Sequence, residues 1–186
     1  MHIAITGGIG SGKSYVCHLL EQRGIQVYDC DAAAKRLMRE DAPLREALKA
    51  LVGPQVYEGT TLQKRVLAAF LLESEAHKQA VNDVVHPAVA RDFLRSGMVW
   101  LESAILFESG FDRRISFDKI VMVSAPEALR AKRIMARDHL SQEKAEEWIR
   151  CQMSQEEVRR RSDFEIINDG RPLEPQVEAL LLKVKK

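Results

Sequence analysis

The residues best suited to chemistry lie close to the N-terminus, between positions 7 and 14. This stretch reads GGIGSGKS and fits the pattern G-x-x-x-x-G-K-[ST], in which backbone N–H groups surround the phosphates of a nucleotide. The glycines let the backbone turn so that successive N–H groups point into one concavity at the start of a helix. Lys13 then reaches the β- and γ-phosphates as a point charge, and the hydroxyl of Ser14 is placed to bind Mg²⁺. The predicted ATP-binding residues of this loop are Gly8, Ile9, Gly10, Ser11, Gly12, Lys13 and Ser14.

Acidic side chains follow two apolar segments downstream of the loop. Asp29 and Asp31 follow the predicted strand Ile25 to Tyr28, where a carboxylate can accept the proton of an acceptor hydroxyl or hold Mg²⁺ through water. Because Asp31 also precedes a good helix, its position alone is equally consistent with a helix N-cap. Glu102 closes the segment MVWLE and fits either a group that supports the metal or a solvated strand end.

Three arginines lie on one face of a predicted helix, since Arg133 and Arg137 are four residues apart and Arg130 lies one turn earlier. Positive charge over a triphosphate stabilises the charge that develops on a transferring phosphoryl group. The alternative is a solvated basic face that pairs with the many nearby glutamates.

The elements that must position these residues follow an α/β pattern. A short strand leads into the loop, a helix follows it, and a second strand completes a β-loop-α-β unit that begins a parallel, doubly wound sheet. Five parallel strands are predicted, at His2 to Thr6, Ile25 to Tyr28, Met98 to Leu101, Lys119 to Val123 and Phe164 to Ile167.

Two helical regions exceed what the sheet connections need. About seventy residues between the second and third strands show helical periodicity and no convincing strand, with breaks at Pro43, Gly53-Pro54, Gly59 and His86-Pro87. A second helical stretch runs from Pro126 to about Arg161, with Ser141 as an N-cap and a capping box that starts at Ser154.

Length and composition describe one ordinary domain with insertions. The chain has 186 residues, of which 46% are apolar and 30% charged, and no apolar run is long enough for a membrane span. A formal net charge of +1 disfavours duplex nucleic acid as a partner, so small molecules are expected. The three scattered cysteines fit free thiols, and the first residues do not resemble a secretory signal, which favours a cytoplasmic protein.

Over essentially its whole length the sequence resembles the dephospho-coenzyme A kinase family. The resemblance rests on six segments in family order: TGGIGSGKS, GIQVYDCDAAAKRL, HPAV, ILFESG, RIMARD and DFEIINDG. It implies a P-loop NTPase fold with a five-stranded parallel sheet flanked by helices, a helical acceptor-binding insertion and a helical lid. The implied domains are a nucleotide-binding core (1–31, 86–137 and 162–186), an acceptor domain (32–85) and a lid (138–161).

The resemblance also implies the reaction, which is phosphorylation of the ribose 3′-hydroxyl of dephospho-coenzyme A by ATP with Mg²⁺. Asp31 would activate that hydroxyl, Arg137 would be a lid cation on the phosphates, and Asn168 would lie near the adenine. Thr6 and His86 would join Asp31 in binding the acceptor, although His86-Pro87 is also consistent with a simple helix break. A monomer or weak homo-oligomer is expected.

Two departures from the family pattern concern the lid and the turn after the third strand. Trp148 stands where the family has a lid arginine, and Ala104 stands where it has a proline. Two other functions remain open from sequence: a kinase of a nucleoside or nucleotide, and a nucleotide-dependent binding switch, which lacks support because the chain has no N-K-x-D guanine signature.

Overall fold

The computed structural model describes residues 1–184, which form two compact units. The first unit comprises Met1–Tyr28 and the chain from Met98 onward, and the second is Asp29–Gly97. The strands and helices of the described residues follow in chain order: β1 Ile3–Thr6, α1 Lys13–Glu21, β2 Val27–Asp29, α2 Cys30–Glu40, α3 Ala42–Val52, a 3₁₀ turn at Pro54–Val56, β3 Tyr57–Glu58, β4 Thr61–Leu62, α4 Lys64–Glu73, α5 Glu75–Ser96, β5 Trp100–Glu102, α6 Phe111–Arg114, β6 Lys119–Ser124, α7 Glu127–Asp138, α8 Gln142–Arg150, α9 Gln155–Arg160, β7 Phe164–Ile167 and α10 Glu174–Val184.

The main sheet has five parallel strands in the order β2-β5-β1-β6-β7, which confirms the predicted fold class. Strand β1 lies at the centre, with Ile3 opposite Trp100 of β5 and opposite Lys119 of β6. All four residues of β1 are buried, as is typical of a parallel strand whose two faces are covered by helices. The strand that leads into the glycine loop is therefore rigidly held on both sides.

Helix α1 packs one face onto this sheet. Its residues Val16, Leu19 and Leu20 are buried and belong to one apolar cluster with Val177 and Leu180 of α10. Removing such side chains from water contributes about 1.5–3 kcal/mol each. The helix ends before Gly24, whose φ of 77° is readily adopted only by a residue without a Cβ atom.

Strand β7 lies at one end of the sheet, and a side chain of α10 covers part of its outer side. The N–H of Ile167 donates to Oε1 of Gln176 at 2.9 Å, and Nε2 of Gln176 donates to the carbonyl of Ile167, also at 2.9 Å. One glutamine amide thus pairs with both polar groups of a strand residue.

Helices α7, α8 and α9 form the second predicted helical stretch. Ser141 accepts from the N–H of Lys144 and Ser154 from the N–H of Glu157, so both serines are N-caps as predicted. The carboxylate of Glu157 accepts from Arg160, so only this half of the capping box is observed within the described residues. Helices α7 and α8 share a small apolar cluster formed by Ala131, Ile134, Ala145 and Ile149, against which Ile9, Met135 and Leu140 pack.

The second unit is mainly helical, as predicted, but it also contains a short antiparallel hairpin that the sequence pattern missed. Strands β3 and β4 pair Tyr57 with Leu62 and Glu58 with Thr61. Each strand has only two residues, too few to show a period of two, and the turn includes Gly59 with a φ of 60°.

The expected break at His86-Pro87 was wrong, because α5 runs through Pro87 without ending. A proline inside a helix removes one backbone hydrogen bond and costs about 3 kcal/mol. The buried residues Val85, Ala88 and Val89 flank this position, so packing within the unit offsets that cost. Although α5 has 22 residues, no helix within residues 1–184 combines the length and apolar character needed to cross a bilayer.

Candidate active site

The glycine loop adopts a conformation that depends on the absence of side chains. Gly10 and Gly12 have φ values of 77° and 96°, in the left-handed region that favours glycine. A Cβ atom on Gly10 would lie 2.7 Å from the carbonyl oxygen of Arg130, and one on Gly12 would lie 2.1 Å from Nδ2 of Asn168. The glycines therefore permit the turn and also admit the neighbouring groups that support it.

Lys13 begins α1 and is nearly buried, with 8% of its surface exposed. Its Nζ lies 3.6 Å from Oε1 of Glu102, the last residue of β5. The structure thus places Glu102 beside the loop lysine rather than at a solvated strand end. Because this position is partly desolvated, the ion pair is strong enough to hold the ammonium group of Lys13 in place.

Ser14 is exposed in the first turn of α1, whereas Ser11 and Thr6 are buried. Thr6 is the last residue of β1. The hydroxyl of Ser11 is buried and has no hydrogen-bond partner within residues 1–184. A buried hydroxyl without a partner costs free energy. Because Ser11 belongs to the glycine loop, a ligand or water bound there can supply the missing hydrogen bond.

Asn168 and Arg133 hold the second half of the loop. The carbonyl of Ser11 accepts from Nδ2 of Asn168 at 2.9 Å and from Nη1 of Arg133 at 3.3 Å. Arg133 also donates to the carbonyl of Gly10 at 3.1 Å and to Oδ1 of Asn168 at 2.9 Å. This network connects the end of β7, helix α7 and the loop in one hydrogen-bonded group.

Arg130 holds the first half of the loop. It is 3% exposed, and its Nε donates to the carbonyl of Ile9 at 2.9 Å. Burial lowers the pKa of its guanidinium below the ordinary value, although a group this basic stays charged. Gln152 accepts from the N–H of Ile9 at 2.7 Å and from Nη2 of Arg130 at 3.4 Å. The sequence placed Arg130 on the arginine face of this helix, but spacing does not show that Arg130 and Gln152 contact Ile9.

Arg137, the predicted lid cation, lies on the exposed end of α7 and pairs with its neighbour Asp138. Its Nη2 donates to Oδ2 of Asp138 at 2.7 Å, and its Nε lies 3.0 Å from the same oxygen. Hydrogen bonding to Arg137 holds the pKa of Asp138 below its usual value, while the same bonds raise the pKa of Arg137. Of the three arginines on this helix, Arg130 and Arg133 are thus the ones that contact the loop.

In α8, Trp148 stands where the family resemblance leads us to expect an arginine. Trp148 is exposed in that position, and Arg150 pairs with Glu146 at 3.7 Å on the same helix. Both side chains are at the surface of the first unit.

The remaining predicted site residues belong to the second unit. Asp29 is the N-cap of α2, because its Oδ1 accepts from the N–H of Ala32 at 2.9 Å. Asp31 is the second residue of that helix and is exposed, so the cap that its position suggested is provided by Asp29. His86 lies within α5 and is half-buried.

Three comparisons with known proteins agree. The family model described as dephospho-CoA kinase matches residues 1–174. A dephospho-CoA kinase from Bacteroides fragilis is 45% identical over 187 residues, covering 96% of this chain and 90% of that protein.

Solved structures give the same result for the fold. The crystal structure of TT1252 from Thermus thermophilus is 35% identical, with a TM-score of 0.82 over 100% of this chain and 97% of that one. A dephospho-CoA kinase from Campylobacter jejuni, at 20% identity and a TM-score of 0.69, shares the fold over 98% of this chain and 96% of its own.

Proposed function

The chain belongs to the dephospho-CoA kinase family, and from this membership we propose that it transfers the γ-phosphoryl group of ATP to the ribose 3′-hydroxyl of dephospho-CoA. The products are coenzyme A and ADP, and the reaction is the last step of coenzyme A biosynthesis. The observation that carries the proposal is the match to this family over residues 1–174, which contains the whole glycine loop.

The loop and its supports form the proposed ATP site. Backbone N–H groups of the glycine loop surround the phosphates, Lys13 neutralises charge on them, and Asn168 lies near the adenine. The contacts of Asn168 with Ser11 and Arg133 support this assignment, since they tie the end of β7 to the loop. Arg137 reaches the phosphates once it leaves its pair with Asp138.

The residues around the loop suit Mg²⁺, which prefers oxygen ligands and is commonly bound through one or two protein groups and the substrate phosphates. The exposed hydroxyl of Ser14 is such a ligand, and the carboxylate of Glu102 is a second oxygen group beside Lys13. Bound there with ATP, the ion supplies neutralisation of phosphate charge.

Asp31 accepts the proton of the ribose 3′-hydroxyl as its oxygen attacks the γ-phosphorus. The bond from that phosphorus to the bridging oxygen breaks, and ADP leaves with the electron pair. The exposure of Asp31 and the assignment of the cap to Asp29 support this role, because within residues 1–184 its carboxylate makes no hydrogen bond or ion pair. Thr6 and His86 contribute to acceptor binding.

We further propose that residues 32–85 bind the acceptor, that 138–161 act as the lid, and that 1–31, 86–137 and 162–186 form the nucleotide core. The enzyme then works on two small molecules in the cytoplasm, as a monomer or weak homo-oligomer without nucleic acid or membrane.

A coupled ADP-release assay with Mg·ATP, with and without dephospho-CoA, tests the function. We expect ADP release that depends on dephospho-CoA, and a product heavier by one phosphoryl group on the ribose. A clear preference for AMP, CMP or adenosine as acceptor would contradict the proposed substrate. Tight GTP binding with slow hydrolysis would instead indicate a switch.

A further inference from the structure

Ile9, near the tip of the glycine loop, is held in three independent ways. Its N–H donates to Oε1 of Gln152 at 2.7 Å, and its carbonyl accepts from Nε of Arg130 at 2.9 Å. Its side chain packs against the apolar cluster that α7 and α8 share. Both polar groups of this residue are therefore used for contacts with the helical stretch that follows β6.

The groups that hold Ile9 also contact each other. The same oxygen of Gln152 that accepts from Ile9 lies 3.4 Å from Nη2 of Arg130. The guanidinium of Arg130 lies directly against the loop, since a Cβ atom on Gly8 would be 2.2 Å from Nη2. Oε1 of Gln152 thus accepts from both the N–H of Ile9 and the guanidinium of Arg130. The same guanidinium also donates to the carbonyl of Ile9.

The chain segment that carries Gln152 is held in place by the nearby Gln155. It lies between α8 and α9, three residues before Gln155. Oε1 of Gln155 accepts from the N–H of Ala125 at 3.1 Å, and Nε2 donates to the carbonyl of Ala125 at 3.0 Å. The segment that contains Gln152 is therefore fixed to the end of β6, close to the start of α7.

We propose that Gln152 is a positioning residue that presets the glycine loop for the triphosphate. It holds the N–H of Ile9 and orients Arg130, so that the loop needs little rearrangement when ATP binds. Ile9 then contributes through the shape of the loop, because its own N–H bonds to Gln152. The inference rests on the proposed nucleotide site and adds a residue that never touches the substrate.

The physical reason is the cost of leaving two donors without an acceptor. If Gln152 is replaced by a residue of similar length without an acceptor, the N–H of Ile9 and one N–H of Arg130 lose a partner in a partly buried place. Loop conformations that do not fit a triphosphate then gain population. The apparent affinity for nucleotide falls in proportion to the fraction of molecules whose loop is competent to bind.

The test compares Gln152→Met, which lacks the acceptor, with Gln152→Glu, which keeps an oxygen for both donors. Gln142→Met is the matched control, because Gln142 is an exposed glutamine of α8 whose amide donates to Glu146. For each protein we would measure kcat, the KM for Mg·ATP and for dephospho-CoA, the Kd of Mg·ADP, and hydrogen exchange at the Ile9 amide.

For Gln152→Met we expect the KM for Mg·ATP and the Kd of Mg·ADP to rise about tenfold, with faster exchange at Ile9. The kcat should change by less than about threefold, because bound nucleotide itself orders the loop. The Glu variant should keep the slow exchange at Ile9, and the control should match the unmodified protein throughout.

Unchanged KM, Kd and exchange in Gln152→Met would overturn the proposal. A lower kcat and melting temperature with an unchanged KM would also overturn it, because that pattern indicates a role in folding alone. If the unmodified protein showed no turnover with dephospho-CoA, the proposed function would fail, whereas Mg·ADP affinity and exchange at Ile9 would still test the role of Gln152.

Discussion

The Nζ of Lys13 and Oε1 of Glu102 lie 3.6 Å apart, with side chains that are only 10% and 18% exposed. The protein itself therefore supplies a carboxylate partner for the loop lysine. A buried pair of this kind makes removal of one partner costly, because the remaining charge is left in a poorly solvated place.

Replacing Lys13 should affect both function and stability, but for separable reasons. For Lys13→Ala we expect kcat/KM to fall about 10²–10³-fold, as when one charged group that stabilises the transition state is removed. The free energy of unfolding should also fall, since Glu102 loses this ion pair in a poorly solvated place. Urea unfolding of Lys13→Ala with and without Glu102→Gln would check this: the double variant should recover stability and remain inactive, and recovery of activity would contradict the role of Lys13.

Substitution of Asp31 should affect turnover, whereas substitution of Asp29 should affect stability. Asp31→Asn should lower kcat about 10²–10⁴-fold with nearly unchanged ATP affinity, because a general base requires a proton-accepting carboxylate. Asp29→Ala should instead lower the free energy of unfolding by about 1 kcal/mol, through loss of the cap on Ala32. Steady-state kinetics and thermal unfolding separate the two effects. Normal turnover by Asp31→Asn would remove this residue from the chemistry.

Two glycines with positive φ provide a matched test of the loop. Gly12→Ala would place a Cβ atom 2.1 Å from Nδ2 of Asn168, whereas at Gly24 no atom of residues 1–184 other than its chain neighbours lies within 4 Å of the same position. Both substitutions carry backbone strain of about 1–2 kcal/mol. We expect ATP affinity to fall only in Gly12→Ala, which also displaces Asn168. Calorimetric titration with Mg·ADP would check this, and equal affinity in both variants would be inconsistent with the observed packing.

Acid should remove the stabilisation contributed by Arg159 and Glu165. The two side chains form a double hydrogen bond with both distances at 2.8 Å, and hydrogen bonding to Arg159 lowers the pKa of Glu165. A lowered pKa in the folded state means that this stability is complete above the ordinary glutamate value and is lost as pH falls through the folded value.

Arg159→Gln should therefore reduce the free energy of unfolding by about 1 kcal/mol at neutral pH, and the difference from the unmodified protein should shrink in acid. Urea unfolding at pH values from neutral to about 3 would measure it. A difference that does not depend on pH would mean that the charge of Glu165 is not involved.

Much of the fold was predictable because it depends on local signals. The five strands, the loop and the caps at Ser141 and Ser154 each follow from short patterns with a direct physical cause. The continuity of α5 through Pro87 does not follow from such a pattern, because packing around Val85 and Val89 outweighs the local tendency of proline to end a helix.

The same limit applies to the candidate site. Lys13 and Ser14 belong to a contiguous motif, so the sequence alone predicts them as site residues. The contacts of Gln152 and Arg130 with Ile9 join residues 143 and 121 positions apart, so no spacing rule could pair them. Similarly, position left a cap role open for Asp31, whereas Asp29 provides the cap, because α2 begins at Cys30, two residues earlier than a cap at Asp31 would require.

The amide of Gln176 on Ile167 has a consequence for association between chains. An uncovered outer strand offers a ladder of donors and acceptors on which an extended peptide or a second copy can dock, and such docking starts strand-mediated aggregation. Ile167 is an apolar residue that is 40% exposed, which would make this edge of β7 attractive to such a peptide. By occupying both polar groups of that residue, Gln176 removes one donor and one acceptor from this edge, which disfavours pairing with another strand there.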